Sequence, residues 1–399
     1  MRALHLLKTA DGATWALRQI RELVDQGVEI HVLIPDGPLV AEYRAVGASV
    51  HIGQASLPTG RPDRWPSLFR EFAELVETVR PDLIHSHFVG TTLTMRLALG
   101  RKSLIPRLFQ VPGPLHLEHG LFRTAEIATA GPSDFWVGSC NWTCQRYLKS
   151  GVPANRVYRS IYGVDIKQFE GTQSGILRSE LGCFADTKLV GMVAYMYRPK
   201  RYLGQRRGIK GHEDLIDALA ICRSEDPTIE GVFIGGSWGD AHDYAAEVMN
   251  YGRNRLGKSG HFLGTRNDVP RLYPDFDVAV HPSHSENLGG AGESLLMGIP
   301  TIATQVGGFP DLISTGETGW LVPPKSPSHL ADAIREVLGN RMASNRIAAN
   351  GQTQARNILD VRNTSQEIRT LYERIAMEGQ ASNTLIPNPI ATPTKFGGI

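Results

Sequence analysis

The sequence predicts an α/β protein made of two doubly wound domains that face each other across a cleft. Short apolar runs alternate with segments of helical period along most of the 399 residues, which is typical of parallel sheets covered by helices on both faces. This alternation breaks near Phe169 and then restarts. The length is sufficient for two domains of ordinary size. Two such domains in tandem would bring a ligand site on each side of a cleft together.

The composition narrows the class of protein. The longest uncharged apolar runs have the length of a strand, so we expect no membrane-spanning helix. Four cysteines without a repeated CxxC pair predict neither a disulfide scaffold nor a zinc site. A net charge of +2 argues against nucleic acid as a partner. Because the chain starts directly in a strand pattern without an apolar leader, we expect a cytoplasmic protein.

Residues 1–170 form the first predicted domain. After the first strand, Leu17, Ile20 and Leu23 recur at helical spacing and predict the first covering helix. The strands of this domain are expected at Ala3–Leu7, Glu29–Ile34, Asp82–His85, Arg107–Val111, Trp136–Ser139 and Val157–Ile161.

Residues 171–355 form the second predicted domain, after a mixed polar stretch. Its strands are expected at Leu189–Met196, Val232–Ile234, His261–Leu263, Val278–Val280 and Thr301–Thr304. A last helix is predicted within 356–377, with a capping box of Thr364 and Glu367 and an apolar stripe that would pack back on the first domain. The tail 378–399 carries three prolines and is expected to be mobile or to lie over the surface.

Residues 281–312 are the most informative stretch, because they join a strand end, a Gly-rich turn and a short helix. Ligands of open α/β sheets bind beyond the carboxyl ends of the strands, where a helix start and glycines favour a phosphate. Glu286 lies in the turn, and Glu293 lies near the start of the helix. Two carboxylates beside a phosphate cradle suggest a ligand with phosphates in the middle and polyols on both sides, as in a nucleoside-diphosphate sugar. The alternative is that Glu293 favours the helix dipole and Glu286 is a solvated loop acid.

This stretch resembles the donor-binding signature of the retaining glycosyltransferases of the GT-B fold, specifically glycosyltransferase family 4. The resemblance is strongest over 187–340 and implies two Rossmann-like domains, no cofactor and no metal. The two glutamates are separated by six residues, where the family usually has seven, so the turn is tighter. The matching residues are, in order, Pro282-Ser283, Glu286, Glu293, Gly298, Pro300, Val306-Gly307-Gly308, Pro310-Asp311, Gly316-Glu317-Thr318-Gly319 and Leu321-Val322-Pro323.

The resemblance also implies roles for these residues. Glu293 would hold the nucleotide ribose, and Glu286 would hold hydroxyls of the donor sugar. Backbone amides of Leu288, Gly289, Gly290 and Ala291 would hold the diphosphate.

Further positions follow from the same resemblance. Lys210-Gly211 matches the family's Lys-Gly, whose cation neutralises the diphosphate, whereas Tyr195 stands where the family has a strand-end Arg. Among the arginines of the long basic loop we expect Arg198 to replace that charge. Arg266 would lie near the nucleobase, and Gly12 would offer a second amide nest.

On the acceptor side, His116 is the candidate polar residue, although the family's T-x-H-G is replaced here by Gln110-Val111-Pro112-Gly113. Asp275 and Asp277 form a DxD pattern, which we interpret as structural because Asp277 begins a buried strand.

Taken together, the resemblance implies a metal-independent, retaining hexosyltransferase with Glu286, Lys210 and His116 as catalytic residues. Its donor would be a nucleoside-diphosphate sugar, with UDP favoured. Its acceptor would be a small molecule, a glycan or a lipid-linked sugar, and membrane contact would be at most peripheral. A nucleotide-sugar epimerase or phosphorylase on the same fold, and a non-catalytic sugar-nucleotide binder, remain as alternatives.

Overall fold

The computed structural model describes residues 1–12, 14–58, 60–111, 113, 115–170 and 175–381. Within these ranges the chain forms two parallel sheets, each covered by helices. This arrangement is the pair of Rossmann-like domains that the alternating pattern predicts.

The N-terminal sheet has seven parallel strands. The strands are β1 (Arg2–Leu6), β2 (Glu29–Ile34), β3 (Ser49–Ile52), β4 (Leu83–Ser86), β5 (Arg107–Val111), β6 (Asp134–Gly138) and β7 (Val157–Arg159), and their order is β3-β2-β1-β4-β5-β6-β7. The helices of this half are α1 (Thr14–Asp25), α2 (Val40–Ala45), α3 (Trp65–Val79), α4 (Val89–Leu99), α5 (Leu115–Glu118), α6 (Gly120–Ala128) and α7 (Asn141–Lys149).

The C-terminal sheet has six parallel strands. The strands are β8 (Lys188–Val193), β9 (Ile229–Ile234), β10 (Gly260–Phe262), β11 (Val278–His281), β12 (Thr301–Thr304) and β13 (Trp320–Val322), and their order is β10-β9-β8-β11-β12-β13. The helices of this half are α8 (Ile176–Leu181), α9 (His212–Arg223), α10 (His242–Leu256), α11 (Val269–Leu272), α12 (Ala291–Leu296), α13 (Phe309–Leu312), α14 (Pro327–Gly339) and α15 (Arg341–Leu359), and α16 (Val361–Ala381) ends the described chain.

The central strands are recognisable in the sequence because both of their faces are buried. β1 and β8 are nearly continuous apolar runs, as expected of a parallel sheet with helices on each side. In contrast, β3 at the edge of the N-terminal sheet is half exposed, and the sequence analysis did not predict it. Among the described helices, none has both the length and the apolar composition needed to cross a lipid bilayer.

The chain passes between the domains earlier than residue 170. Ile161 and Phe169 are buried in the same apolar cluster as Leu288, Phe309 and Leu359, so this segment packs with the C-terminal domain. Its apolar side chains provide the physical reason, because they are buried together with residues of α12 and β12. Residues 171–174, where the boundary was predicted, lie outside the described residues.

The start of the last helix also differs from the prediction. Residues 356–359 belong to α15, Asp360 leaves the helical conformation, and α16 begins at Val361. The Asp360 carboxylate accepts a hydrogen bond from the backbone amide of Arg362 at 3.0 Å, so Asp360 caps the helix. Thr364 lies inside the first turn and its hydroxyl donates to the Val361 carbonyl, so the predicted capping box is wrong. The helix includes residues 378–381, and the rest of the predicted tail lies outside the described residues.

The α16 helix packs against the N-terminal domain, mainly on α1. Its apolar stripe, including Ile368, Tyr372 and Ile375, joins the buried cluster that contains Leu17 and Ile20. The Tyr372 hydroxyl lies 2.5 Å from Nδ1 of His85 on β4 and 3.0 Å from Nε2 of His5 on β1. The α16 helix is therefore fixed to the first domain by both apolar and polar contacts.

We expect Tyr372→Phe to lower the free energy of unfolding by about 1–3 kcal/mol, because buried imidazole nitrogens lose their hydroxyl partner. Urea unfolding followed by circular dichroism measures the difference. Tyr202→Phe is the matched control, since the Tyr202 side chain is largely exposed. Equal losses in the two variants would contradict the assignment.

Candidate active site

A pocket lies at the carboxyl edge of the C-terminal sheet, where the strand order reverses between β8 and β11. This switch point is the usual ligand position in open α/β sheets. Its polar lining includes Lys210, Arg266, His281, Glu286 and Glu293. The structure therefore brings both glutamates and two of the predicted cations, Lys210 and Arg266, into one cavity.

The two loops that carry Lys210 and Glu286 are bound to each other. The backbone amide of His284 donates to the Ile209 carbonyl at 2.7 Å. The imidazole of His284 also contacts Asp214, and Arg207 donates to the same carboxylate at 2.5 Å. These bonds hold the basic loop against the end of β11.

Glycines make this close packing possible. Gly211 has φ +75°, and a Cβ at that position would lie 2.1 Å from the Pro282 carbonyl oxygen. Gly307 has φ +53°, and a Cβ there would lie 1.6 Å from the carbonyl oxygen of Glu286. A larger residue at position 211 or 307 would clash with the backbone of the loop that carries Glu286. Both positions also have a positive φ, which favours glycine.

Lys210 forms an ion pair with Glu286 inside the pocket. Its ammonium donates to Glu286 Oε2, which also accepts from the Ser283 hydroxyl at 3.4 Å. Burial lowers the pKa of Lys210, but the attraction of Glu286 outweighs it and leaves the pKa above its usual value. The lysine is therefore a fixed positive charge with one anion beside it.

Glu293 is the second carboxylate and has no cation within 4 Å among the described residues. Burial raises its pKa, and the charge of Arg18 and the Tyr273 hydroxyl at 3.5 Å oppose that shift. Arg18 lies on α1 of the other domain, where its Nε donates to the Gly163 carbonyl at 3.4 Å. A carboxylate of this kind has unused acceptor capacity for ligand hydroxyls.

The turn between the glutamates presents backbone amides. No described residue accepts a hydrogen bond from the amides of Leu288, Gly289, Gly290 or Ala291. Gly290 lines the pocket and packs over His281, whose Nε2 lies 2.9 Å from the Ser294 hydroxyl. Burial, together with the charge of Lys210, lowers the pKa of His281 to about 3, so its ring is neutral.

The structure does not bring Arg198 to the pocket. Its guanidinium makes a bidentate ion pair with Asp243 at 2.6 and 2.8 Å. Asp243 belongs to α10, so this ion pair holds Arg198 against that helix. Arg266 does line the pocket and pairs with Asp268 and Glu180. Tyr195, at the end of β8, faces the pocket where the cation was expected.

On the N-terminal side, His116 does not line the pocket. Its Nε2 is 3.2 Å from the Tyr147 hydroxyl, and burial lowers its pKa to about 4. This bond positions α5, whose Glu118 accepts from the Ser285 hydroxyl across the cleft at 2.6 Å. Gly12 also lies in the cleft, where a Cβ would be 2.7 Å from the Trp238 ring.

Several cross-domain residues were missed by the sequence analysis. Asp311 accepts from the backbone amide of Asn141 at 2.7 Å and so caps α7 of the other domain. Arg18, Glu118 and Trp238 were also not singled out. Local patterns gave no sign of these contacts, although Asp311 stood inside the quoted signature and Trp238 is the second residue after a strand-end glycine pair.

The described residues contain one histidine cluster with metal-binding spacing. The candidate ligand atoms of His5, His85 and His87 all lie within 4.8 Å of one another in the N-terminal sheet. His5 and His87 hydrogen-bond to each other, His87 also bonds to the Tyr162 hydroxyl, and His85 bonds to the Tyr372 hydroxyl. Burial lowers the pKa of each of the three histidines. Asp275 instead accepts from backbone amides at the start of α8, and Asp277 pairs with Arg178, which supports their structural interpretation.

Comparison with known proteins identifies the class. The family model described as "Glycosyl transferases group 1" matches residues 201–354, and that of "Glycosyltransferase Family 4" matches residues 12–168. Two facing Rossmann-like domains with a pocket at the second switch point are the GT-B fold of glycosyltransferases. More particularly, the chain belongs to the glycosyltransferase family 4 type, since the two models together match most of its length.

Relatives agree with this assignment. The D-inositol 3-phosphate glycosyltransferase of Paenarthrobacter aurescens is 25% identical over 350 residues, which cover 79% of this chain and 81% of that protein. The enzyme of the same name from Corynebacterium glutamicum is 30% identical over 218 residues, or 52% of this chain. The chain spans about half, 48%, of the length of that second relative.

Solved structures share the fold over almost the whole chain. HepE of Anabaena in complex with UDP has a TM-score of 0.77 at 24% identity, and the alignment covers 94% of this chain and 100% of that one. Sucrose-phosphate synthase of Thermosynechococcus elongatus has a TM-score of 0.75 at 19% identity, covering 95% and 100%.

We expect Glu293→Gln to stabilise the ligand-free protein. Burial raises the folded-state pKa of Glu293, so ionisation of this carboxyl destabilises the fold. The cost is absent below the unfolded-state pKa, grows as the pH rises, and is complete above the folded-state pKa. The variant should therefore melt about 2–4 °C higher than wild type at about pH 8. The gain should shrink as the pH falls toward about 4.

Differential scanning calorimetry measures both profiles. Glu317→Gln, an exposed glutamate in the same domain, is the control and should melt as wild type does. A Glu293→Gln variant that melts lower than wild type at the higher pH would show that Glu293 is not destabilised by burial.

Proposed function

We propose that this chain is a retaining glycosyltransferase that moves a hexose from a nucleoside-diphosphate sugar, with UDP as the nucleotide, to an acceptor hydroxyl. The observation that carries the proposal is the pocket in which Lys210 and two partly buried glutamates flank unpartnered backbone amides. That layout suits a diphosphate with a polyol on each side. The neighbour HepE, described in complex with UDP and with UDP-glucose, supports this donor.

In this proposal the diphosphate lies over the turn from Leu288 to Ala291. The free amides and Lys210 neutralise it, and Arg266, which lines the same pocket, contacts the base. Glu293 accepts hydrogen bonds from the ribose hydroxyls, and Glu286 accepts them from the donor sugar. Glu293 thereby gains the donors that it lacks in the free protein.

Lys210 changes partners when the donor binds. In the free site its charge is matched by Glu286 alone, and an incoming phosphate adds stronger acceptors beside it. As the bond between sugar and phosphate breaks, negative charge grows on the diphosphate, where the lysine and the amides are already oriented. Preorganised charge of this kind is usually the largest part of catalysis.

The acceptor hydroxyl attacks from the face of the sugar that the diphosphate leaves, and the leaving phosphate oxygen takes its proton. Glu286 orients the sugar and is not required as a nucleophile. His116 holds α5 in place beside the cleft and is a positioning residue in this scheme. The chemistry needs no metal and no cofactor besides the sugar nucleotide.

The anomeric configuration of the product tests the mechanism. We expect the protein to hydrolyse UDP-α-glucose slowly to UDP and glucose that is initially the α-anomer. Proton NMR, recorded faster than mutarotation, distinguishes the anomers. Initial release of β-glucose would show inversion, and glucose epimerised while still attached to UDP would show an epimerase.

We expect Lys210→Ala to weaken the affinity for UDP by about 10- to 100-fold, because a charge-assisted hydrogen bond to phosphate is lost. Isothermal titration calorimetry measures the change. Arg206→Ala, an exposed cation of the same loop, is the matched control and should bind UDP as wild type does. Unchanged binding after loss of Lys210 would refute the placement of the diphosphate.

A further inference from the structure

Three aromatic side chains form one continuous surface beside the pocket. We call Tyr195, Tyr197 and Trp238 the aromatic wall. The rings of Tyr197 and Trp238 stack with centroids 5.3 Å apart at 29°, and Tyr195 meets Trp238 edge to face at 5.2 Å and 64°. Tyr195 and Tyr197 line the pocket itself. These contacts make the wall a single, mutually supported unit.

Part of this wall is open to solvent. Tyr195 is 38% exposed and Trp238 is 40% exposed, although both are large and apolar. Exposed aromatic area inside a cleft, next to converging polar groups, is characteristic of a surface that contacts a ligand. A purely structural cluster would place these rings in one of the domain cores.

The wall joins the polar groups of the pocket to the opposite domain. Tyr197 lies 5.7 Å from the ammonium of Lys210, which contacts Glu286. On its other side, Trp238 packs over Gly12 of the N-terminal domain. A ligand group that extends from Glu286 toward the other domain therefore meets these rings.

Charge identifies the kind of group that suits the wall. Its three side chains are uncharged, and the cation that touches it, Lys210, is the one assigned above to the diphosphate. This surface offers a phosphate no new positive charge. It offers flat π faces, which match a ring that carries C–H bonds on one face and hydroxyls around its edge.

We propose that the aromatic wall binds the C–H face of the donor's pyranose ring, while Glu286 holds hydroxyls on the edge of the same ring. The wall is thus a sugar subsite that recognises an uncharged hexopyranose separately from the nucleotide. This inference rests on the proposed function, because it places the sugar next to Glu286.

The test compares the affinities for UDP and for UDP-glucose in each variant by isothermal titration calorimetry. Wild type should bind UDP-glucose more tightly than UDP. Trp238→Ala and Tyr195→Ala should each reduce that preference about three- to tenfold, while the affinity for UDP changes by less than about twofold. Trp238→Phe, which keeps a ring, should retain most of the preference.

Tyr202→Ala is the matched control, because Tyr202 is an exposed tyrosine, 76% accessible, on the nearby basic loop. It should leave both affinities unchanged. If Trp238→Ala does not fold, Tyr195→Ala decides the question, since the Tyr195 side chain is 38% exposed and its loss leaves no cavity in a domain core.

The outcomes separate this inference from the proposed function. Wild type that binds no UDP would overturn the proposed function, and the sugar subsite with it. Wild type that prefers UDP-glucose, with the same preference in Trp238→Ala and Tyr195→Ala, would overturn the sugar subsite alone. Equal weakening of UDP and UDP-glucose in both variants would also overturn it, because the wall would then act on the nucleotide or on domain contact.

Discussion

The ion pair between Lys210 and Glu286 is the interaction on which the site depends. A partly buried ammonium needs a nearby anion, and the protein supplies one from a different loop. That requirement explains the tight joining of the two loops, from the His284 amide to the glycines at 211 and 307. The same pair leaves the lysine charged and oriented before any ligand arrives.

The rest of the pocket shows how function and stability compete. Glu293 sits in a partly buried position that raises its pKa, and the turn beside it leaves several amides without partners. Each of these groups destabilises the empty protein to some extent and finds a partner in a sugar nucleotide. The apolar clusters of the two sheets provide the stability that tolerates this arrangement.

The sequence predicted those parts of the molecule that depend on local pattern. The central strands are buried on both faces, so their apolar runs were visible, and the spacing of Glu286 and Glu293 placed them at one strand end. The edge strand β3 was missed because its half-exposed side chains break the apolar run. Arg198 was wrongly predicted to line the pocket. Its partner Asp243 is 45 residues away in the sequence, so no local motif indicates that ion pair. Trp238 and Asp311 act across the domain boundary, which sequence spacing does not report.

The bridge between Val164 and the start of the last helix has a mechanical consequence. The Val164 amide donates to the Leu359 carbonyl at 2.7 Å, and the Val361 amide donates back to Val164 at 3.0 Å. Both passages of the chain between the halves are thus fastened at one spot, with Gly163 packed directly on Val361. These bonds keep the two connecting segments side by side. A change in the angle between the domains would therefore bend the chain at this joint and would separate Trp238 from Gly12.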